Sequence, residues 1–447
     1  MDLAARKARL LDHRDALFEE FDTPLYAFFE EDLRRNYREV RSALDDHYPD
    51  STVHFAVKAN YNLGVLSVLR DEGCHAEAYA RCELSATQAA GFDPEDVLLT
   101  GMNRPVEDVE RALDLGVERF LVDNEQELAK IREATARTDA TAEVLIRGNP
   151  AMEVPTHPEV ATATRESKFG LDIESGRALS VAKDAAAAEG VELVGVQLHV
   201  GSQIRGVEPY EVAAREMLSF AADVRDETGV EIDVLDLGGG FPVPYDEEVP
   251  DTETIVASMA DAVRSAAADH DLAEPTLCVE PGRRLVGNAG TLLASVGVVK
   301  ETPHAAFAVL DAGTNAVSSY WPYPIYALSE GDATESYHVA GPLCYTGDVI
   351  QEDVTLPELD RGDVLAVDRI GAYSLGSASH TNAEPKPPVV LVRESGEVES
   401  IRARETCEDV LGNDRIPGDL RDEATSGRSA AVSPDASSDE SAPGRKD

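Results

Sequence analysis

Short apolar runs alternate with helical patterns between residues 51 and 283, and this alternation restricts the fold more than any other feature. The helical stretches include residues 80–91 and 175–190, and the second of these ends on a glycine stop. The apolar runs predict strands at 51–59, 75–80, 97–101, 119–123, 142–148, 193–201, 232–240 and 276–282. Eight strand-then-helix units favour an α/β fold with a (β/α)8 barrel over an open doubly wound sheet.

The pattern changes after residue 284, where strand-like runs with turn signals replace the helical stretches. This part predicts a C-terminal β-domain, which the early run at residues 23–30 would complete. The last segment is rich in Ser, Asp, Ala and Pro and has little to bury, so it predicts disorder. The predicted units are an N-terminal helix and strand (1–30), the barrel (31–284), the β-domain (285–411) and an acidic, Ser-rich disordered tail (412–447).

Acidic residues far outnumber basic ones, with 85 Asp and Glu against 40 Lys and Arg and a formal charge of −45. Such a surface repels nucleic acid and anionic membranes, so neither is expected as a partner. The acids are spread along the whole chain, and lysine is a small minority of the basic residues. This composition indicates a halophilic source, because molar salt screens the self-repulsion of the carboxylates.

The five cysteines predict a reducing cytosol, since they are odd in number and widely spaced. They form no CxxC pair and no metal-ligand spacing with the ten histidines, so no metal is expected. The N-terminal segment has a charged, amphipathic helical pattern without the apolar core of a signal peptide. No apolar stretch approaches the length of a membrane span. We therefore expect a cytoplasmic protein.

Residues with chemical potential fall at the ends of predicted strands, where barrels of this type build their active sites. Lys58 lies at the end of the first strand, in "HFAVKANYN" (54–62), and His199 lies at the end of the sixth. "LGGGFP" (237–242) and "VEPGRRL" (279–285) follow the seventh and eighth strands, where barrels frequently bind phosphate. Lys58 is either a surface lysine at a strand end or a lysine whose depressed pKa suits it to a Schiff base.

Together these residues indicate pyridoxal 5′-phosphate as a cofactor. The backbone N–H groups of the triple glycine can approach an anion closely, and Arg283 can add a charged fork. Glu280 would keep the pyridine nitrogen protonated, which strengthens the ring as an electron sink and argues against racemisation. His199 would stack on one face of the ring; otherwise it is a core histidine.

The same residues resemble those of the fold-type III decarboxylases that depend on pyridoxal phosphate, the diaminopimelate and ornithine decarboxylase group. The resemblance runs from about residue 21 to residue 392 and is strongest to the diaminopimelate decarboxylases of that group. It includes "FAVKAN", "LHVGSQI", "LDLGGGFPVPY", "EPGRRLVGNAG", "GPLCYTGDVI" and "GAYSLGSAS". It implies the alanine racemase-like architecture of group IV decarboxylases, with a (β/α)8 barrel followed by a β-domain.

The resemblance also implies roles at matching positions. Lys58 would form the Schiff base, His199 would stack on the ring and Glu280 would pair with the pyridinium nitrogen. Cys344 would reach into the active site of a partner subunit and assist protonation after loss of carbon dioxide, which implies a homodimer with shared sites. The remaining phosphate and carboxylate contacts would be Ser202, Gly239, Gly240, Arg283 and Tyr373.

Several positions depart from the pattern of the diaminopimelate decarboxylases. Tyr345 stands where those enzymes have an acid that reads the distal ammonium of the substrate. "NAVSSYWP" (315–322) replaces a segment with a carboxylate-binding arginine and places Ser319 or a neighbour at that position. Glu77 stands in place of an aspartate near the stacking histidine. Tyr345 and Trp321 suggest a larger or less charged substrate.

The predicted function is the α-decarboxylation of an amino acid, with meso-diaminopimelate to L-lysine and carbon dioxide as the leading reaction. One alternative is a paralogous decarboxylase acting on another amino acid, such as a siderophore or polyamine precursor. A second is an amino-acid racemase on the same barrel. A third is a catalytically silent homologue that binds a partner.

Overall fold

The structure is a computed structural model that describes residues 3–152, 162–318, 321–417 and 420. The chain begins with two short helices, α1 (Leu3–Asp12) and α2 (Arg14–Glu20), followed by the buried strand β1 (Leu25–Phe29). No helix in this described part of the chain combines the length and apolar composition that crossing a bilayer requires.

Eight parallel strands close into a barrel, as the sequence predicts. Hydrogen-bonded pairing runs around the complete ring, because the fourth and fifth barrel strands pair with each other and the last strand pairs with the first. A two-residue strand, β7 (Leu171–Asp172), extends the edge of the fifth. The barrel strands are β2 (Ser51–Ala56), β3 (His75–Ala78), β4 (Val97–Leu99), β5 (Arg119–Val122), β6 (Ala142–Asn149), β8 (Val191–Gln197), β9 (Val234–Asp236) and β10 (Thr276–Val279).

Helices surround the barrel on its outer face. Side chains cap several of them, as at the first turn of the helix after β2, where Asn62 Oδ1 accepts the Gly64 N–H at 2.9 Å. The helix predicted at 175–190 ends at residue 186, and Gly190, with φ +73°, leads into β8 instead. The helices of this layer are α3 (Glu30–His47), α4 (Leu63–Asp71), α5 (Arg81–Ala89), α6 (Val106–Asp114), α7 (Glu125–Thr138), α8 (Arg177–Ala186), α9 (Glu208–Thr228), α10 (Thr252–Asp269) and α11 (Arg283–Val286).

A second, mixed sheet is built from the C-terminal part of the chain together with β1. Strand β1 lies between an antiparallel partner, Gly290–Glu301, and a parallel partner, Val389–Val392. The C-terminal elements are β11 (Gly290–Glu301), β12 (Ala306–Leu310), β13 (Ile325–Ala327), β14 (Glu335–Ala340), β15 (Val349–Leu356), β16 (Val364–Val367), α12 (Ser374–Ser377), β17 (Val389–Val392), β18 (Val398–Arg402) and α13 (Cys407–Leu411). The predicted barrel and β-domain are therefore confirmed as the fold class.

The predicted limits of the units, at residues 30, 284 and 411, stay predictions. Residues 421–447, which make up most of the predicted tail, lie outside the described residues. Ser319 and residues 153–161 lie outside them as well.

An apolar layer fills the barrel below its carboxyl end. It consists of one side chain from each of six barrel strands, and all six are buried: Leu98, Leu121, Leu145, Val194, Val234 and Cys278. This layer, the apolar floor, fills the interior of the barrel beneath the carboxyl ends of its strands.

Candidate active site

A polar layer lies directly above the apolar floor, because successive residues on the same face of a strand are two apart. Five polar side chains each follow a floor residue by two positions: Thr100, Asp123, Arg147, Asp236 and Glu280. Gln197, past a bulge in the ladder between β6 and β8, joins them by donating from Nε2 to Glu280 Oε1 at 3.1 Å. The barrel thus presents a ring of polar and charged groups at its carboxyl end.

A cavity of about 620 Å³ opens above this ring. Six of the side chains predicted from sequence line it: Lys58, His199, Ser202, Glu280, Arg283 and Tyr373. They come from different strand ends and from the segment after β16, so only the closed barrel and the β-domain together bring them into one cavity. Sequence reasoning placed Lys58 on the strand, whereas it lies in a 3-10 turn, Val57–Ala59, just after β2.

Lys58 is paired with Glu77 from the neighbouring strand β3. Nζ lies 2.6 Å from Glu77 Oε2, and Thr100 donates its hydroxyl to the other carboxylate oxygen of Glu77. Burial of the ammonium lowers the pKa of Lys58, but the charges of Glu77 and Glu280 outweigh it and raise that pKa above its usual value. The predicted depression of the Lys58 pKa is therefore wrong for the cofactor-free chain, since the carboxylate of Glu77 stabilises the ammonium.

Glu280 forms a buried carboxyl pair with Asp236, which lies on the adjacent strand. Burial raises the pKa of Glu280 well above its usual value, and the charges of Asp236 and Glu77 add to this effect. Burial likewise raises the pKa of Asp236 to about 6, against hydrogen bonds from the Gly238 N–H at 2.7 Å and from Glu280. Burial and the neighbouring carboxyl groups therefore favour the protonated form of Glu280 at the floor of the cavity.

His199 is half-buried at the cavity, and its surroundings favour the neutral ring. Burial lowers its pKa well below the usual value, and the charges of Lys58 and Arg147 lower it further. Its Nδ1 accepts the Gly239 N–H at 3.1 Å, so the ring proton lies on Nε2. The side chain faces the cavity as a flat, uncharged ring.

The triple glycine is required by close approach of the backbone. A Cβ on Gly239 would lie 2.4 Å from the Glu280 carbonyl oxygen, and one on Gly240, at φ +98°, would lie 2.5 Å from Ile204 Cδ1. Neither glycine lines the cavity itself. Both are positioned to bring the loop after β9 against Glu280 and His199.

Arg283 lies in an aromatic enclosure at the wall of the cavity. Its Nη1 donates to Tyr245 Oη at 2.9 Å and its Nε to Ser202 Oγ at 3.4 Å. The guanidinium carbon lies 4.8 Å from the ring centre of Tyr373 and 5.1 Å from that of Trp321. No carboxylate of the described residues forms an ion pair with this guanidinium, which is only 7% exposed.

Cys344 and Tyr345 lie on a loop away from this cavity, and both are exposed. Asp348 fixes the loop by accepting the Leu343 N–H and the Thr314 N–H, each at 2.7 Å. The Tyr345 hydroxyl is hydrogen-bonded to Thr314 Oγ1. Within one chain these two residues do not join the other predicted site residues, and their roles stay predictions.

Sequence reasoning missed more than half of the residues that line the cavity. The additional lining residues are Tyr79, Glu83, Thr100, Leu121, Arg147, Thr162, Lys168, Phe169, Gln197, Ser318, Tyr323 and Ala372. The spacing of two residues from apolar floor to polar ring would have identified Thr100, Arg147 and Glu280 together. No comparable spacing marks the residues contributed by loops.

The described side chains fit pyridoxal 5′-phosphate. The cavity offers an amine at Lys58, a buried carboxyl at Glu280 and a neutral ring at His199. Arg283 is a buried cation without a carboxylate partner among the described residues, which suits an anionic ligand.

Comparison with known proteins agrees with this chemistry. The pyridoxal-binding domain model of the pyridoxal-dependent decarboxylases matches residues 30–287, and the C-terminal sheet domain model matches residues 220–371. The chain therefore belongs to the pyridoxal-dependent decarboxylase family, and it is a carboxy-lyase that uses pyridoxal phosphate.

Within that family the chain is similar to diaminopimelate decarboxylases. The enzyme of Methanothermobacter thermautotrophicus is 35% identical over 413 residues, which cover 90% of this chain and 94% of that one. The crystal structure of the Methanocaldococcus jannaschii enzyme with L-lysine has a TM-score of 0.85 at 33% identity, covering 91% of this chain and 95% of that one. A Vibrio vulnificus lysine/ornithine decarboxylase with putrescine is less similar, at 25% identity and a TM-score of 0.73, covering 85% of this chain and 97% of that one.

Proposed function

We propose that this decarboxylase converts meso-diaminopimelate into L-lysine and carbon dioxide. The observation that carries the proposal is the buried Arg283 guanidinium, which faces the same cavity as Lys58 and has no carboxylate partner among the described residues. A substrate with a second carboxylate would neutralise this cation. The similarity to diaminopimelate decarboxylases over most of the chain supports the same substrate.

The side chains around the cavity divide the work of the reaction. Pyridoxal phosphate, when bound, supplies a ring that accepts the electron pair left behind by the departing carboxylate. Lys58 Nζ would hold the cofactor through its amine, and Glu77 positions that nitrogen at 2.6 Å. Glu280, a buried carboxyl that lines the cavity, would pair with the ring nitrogen and keep it protonated. His199, which is neutral, would cover one ring face and exclude water from it.

Two glycines and Ser202 pack around Arg283 and Glu280 at the site. Gly239 and Gly240 permit the approach of the backbone, and Ser202 accepts from Arg283. We assign Ser202, Arg283 and Tyr373, which line the cavity, to the binding of anionic groups, either the cofactor phosphate or a substrate carboxylate. Gly239 and Gly240 would serve the same site by allowing the backbone beside it to approach closely.

We further propose a homodimer with shared active sites. Cys344 is exposed on a loop that Asp348 orders, and it lies outside the cavity of its own chain. An ordered, exposed cysteine of this kind can serve a partner cavity, where it would return a proton to the product. Tyr345, on the same loop, would lie at the substrate in that partner cavity.

Mixing two inactive variants tests the shared site. We expect Lys58→Ala and Cys344→Ala to be inactive alone and to regain about a quarter of the parental activity when subunits exchange at random, because half of the dimers then carry one intact site. If the two variants form mixed dimers but recover no activity, the active sites are not shared between subunits.

The reaction itself is tested by carbon dioxide release from meso-diaminopimelate in molar potassium chloride, with L-lysine measured as the product. Lys58→Ala should abolish release, while Lys183→Ala, which changes an exposed lysine paired with Glu227, should not. Release from ornithine or lysine but not from diaminopimelate would identify the chain as a paralogous decarboxylase. Inversion of the substrate without carbon dioxide would indicate a racemase.

The paralogous reaction is the second candidate, and two residues favour it. Tyr345 offers a hydroxyl in place of a charged reader, and Trp321 lines the cavity within a segment where an arginine is expected. We place the enzyme in the cytoplasm of a halophilic cell, on the basis of the excess of 85 acidic over 40 basic residues.

A further inference from the structure

Trp321 is the single tryptophan of the chain and lies at the wall of the cavity. Its ring stacks on Tyr245, with 5.6 Å between ring centres and an interplanar angle of 10°. Tyr245 in turn meets Tyr323 edge to face at 5.5 Å. Loops from the barrel and from the β-domain thus form one aromatic wall.

This wall controls the surroundings of Arg283. Trp321 and Tyr373 each lie within cation–π distance of the guanidinium, at 5.1 Å and 4.8 Å. Tyr373 has a left-handed backbone, with φ +67°, and its N–H donates to the Ala59 carbonyl at 2.7 Å, directly after Lys58. The enclosure is therefore fixed relative to the reactive lysine.

The guanidinium keeps unused donors inside this enclosure. Its Nε and Nη1 donate to Ser202 and Tyr245, whereas Nη2 has no hydrogen-bond partner among the described residues. Nη2 is not fully buried, so it faces open space, which here is the cavity that Arg283 lines. A desolvated cation with free N–H groups binds a carboxylate more strongly than a hydrated one does.

We propose that Trp321 is a specificity-determining residue, which keeps water from Arg283 so that one guanidinium binds the distal carboxylate of the substrate. This inference rests on the proposed reaction. It adds that Trp321 takes the place of a second cation beside Arg283 at this end of the cavity. Trp321 acts through Arg283 and is a positioning residue for it. Substrates that lack a distal carboxylate leave the desolvated cation without a counter-charge, and the site disfavours them.

Steady-state kinetics with Trp321→Leu and Trp321→Phe test the proposal. Trp321→Leu should raise KM for meso-diaminopimelate about tenfold, the magnitude of one cation–π contact in a dry site, with little change in kcat. Trp321→Phe should restore most of the affinity, because it returns an aromatic face to Arg283. Phe307→Leu, an aromatic-to-leucine change on β12 outside the cavity, serves as the matched control and should leave KM unchanged.

Affinity for the cofactor separates the two possible anions. A rise in the cofactor Kd of Trp321→Leu with an unchanged KM would mean that the enclosure serves the phosphate, and it would overturn the proposal. Equal effects of the leucine and phenylalanine variants would also overturn it, since the aromatic face would then be irrelevant.

The fluorescence of Trp321 provides a readout that does not depend on turnover. Pimelate, which has two carboxylates and no amino group, should change the emission of this single tryptophan in the cofactor-loaded protein, and cadaverine should not. If meso-diaminopimelate is not decarboxylated but pimelate still changes the emission, the proposed reaction fails while the carboxylate site stands. If pimelate leaves the emission unchanged, the assignment of Trp321 is wrong.

Discussion

The substitution Gly239→Ala tests whether the close approach of the loop after β9 positions Glu280 and His199. A methyl group at this position would lie 2.4 Å from the Glu280 carbonyl oxygen, where ordinary van der Waals contact begins at 3.4 Å. The difference, 3.4 − 2.4 Å, requires the two backbone segments to separate by about 1 Å. The atom in the way belongs to the backbone and cannot rotate aside. The Glu280 N–H is also held to the Gly238 carbonyl at 2.7 Å.

Two effects of known size follow from this displacement. Overpacking of this kind destabilises a folded chain by about 1–3 kcal/mol, which a protein of this size survives. A displacement of about 1 Å at a group that contacts the reacting atoms lowers kcat by about a hundredfold. The N–H that Gly239 donates to His199 Nδ1 would shift as well, so the histidine ring would lose its fixed orientation.

The assay compares kcat for carbon dioxide release with the free energy of unfolding in urea. Gly206→Ala is the matched control, because nothing lies within 4 Å of a Cβ at that position and its φ is not positive. We expect the control to match the parent in both measurements. A Gly239→Ala variant with the parental kcat and cofactor affinity would refute the claim that close backbone approach positions Glu280 and His199.

Three further predictions concern charge. Glu77→Gln removes the carboxylate 2.6 Å from Lys58 and should lower the pKa of that lysine. The pH profile of cofactor attachment, followed by stopped-flow absorbance, should therefore shift to lower pH. An unchanged profile would contradict the pairing of Lys58 with Glu77. Asp236, with its pKa raised to about 6, binds a proton in the folded chain that the unfolded chain releases near its usual value. The free energy of unfolding of the cofactor-free chain should therefore gain a contribution as the pH falls from about 6 to about 4, and Asp236→Asn should remove it in urea titrations. Since the net charge is −45, Tm should rise between about 0.1 M and about 2 M potassium chloride, and a constant Tm would argue against a salt-adapted surface.

The barrel was predictable because its strands are buried on both faces. In the sequence such strands are continuous apolar runs, which elements that face solvent do not have. Strands such as β13 and β14 give little apolar signal, because β13 has only three residues and the first two residues of β14 are exposed. Short or half-exposed strands lack the apolar signal and depend on their partners in the sheet.

The candidate site was predictable where a residue ends a strand and unpredictable where two distant loops meet. Lys58 and Glu280 follow apolar runs, so their place at the carboxyl end of the barrel follows from the pattern. The pairing of Lys58 with Glu77 depends on the neighbouring register of β2 and β3, in which Ala56 lies beside Glu77. The stacking of Trp321 on Tyr245 joins two segments that no periodicity links.

The position of β1 has a consequence for how the chain is made. Its five residues are synthesised before the whole barrel, yet they pair with Gly290–Leu293 on one side and Val389–Val392 on the other. The strand must therefore wait, apolar and unpaired, while the whole barrel is synthesised. The sheet can close only when the strand Val389–Val392 has emerged. The barrel is thus topologically an insertion between the first strand of the sheet and the rest of it, and full assembly is delayed until the barrel and the later strands have been synthesised.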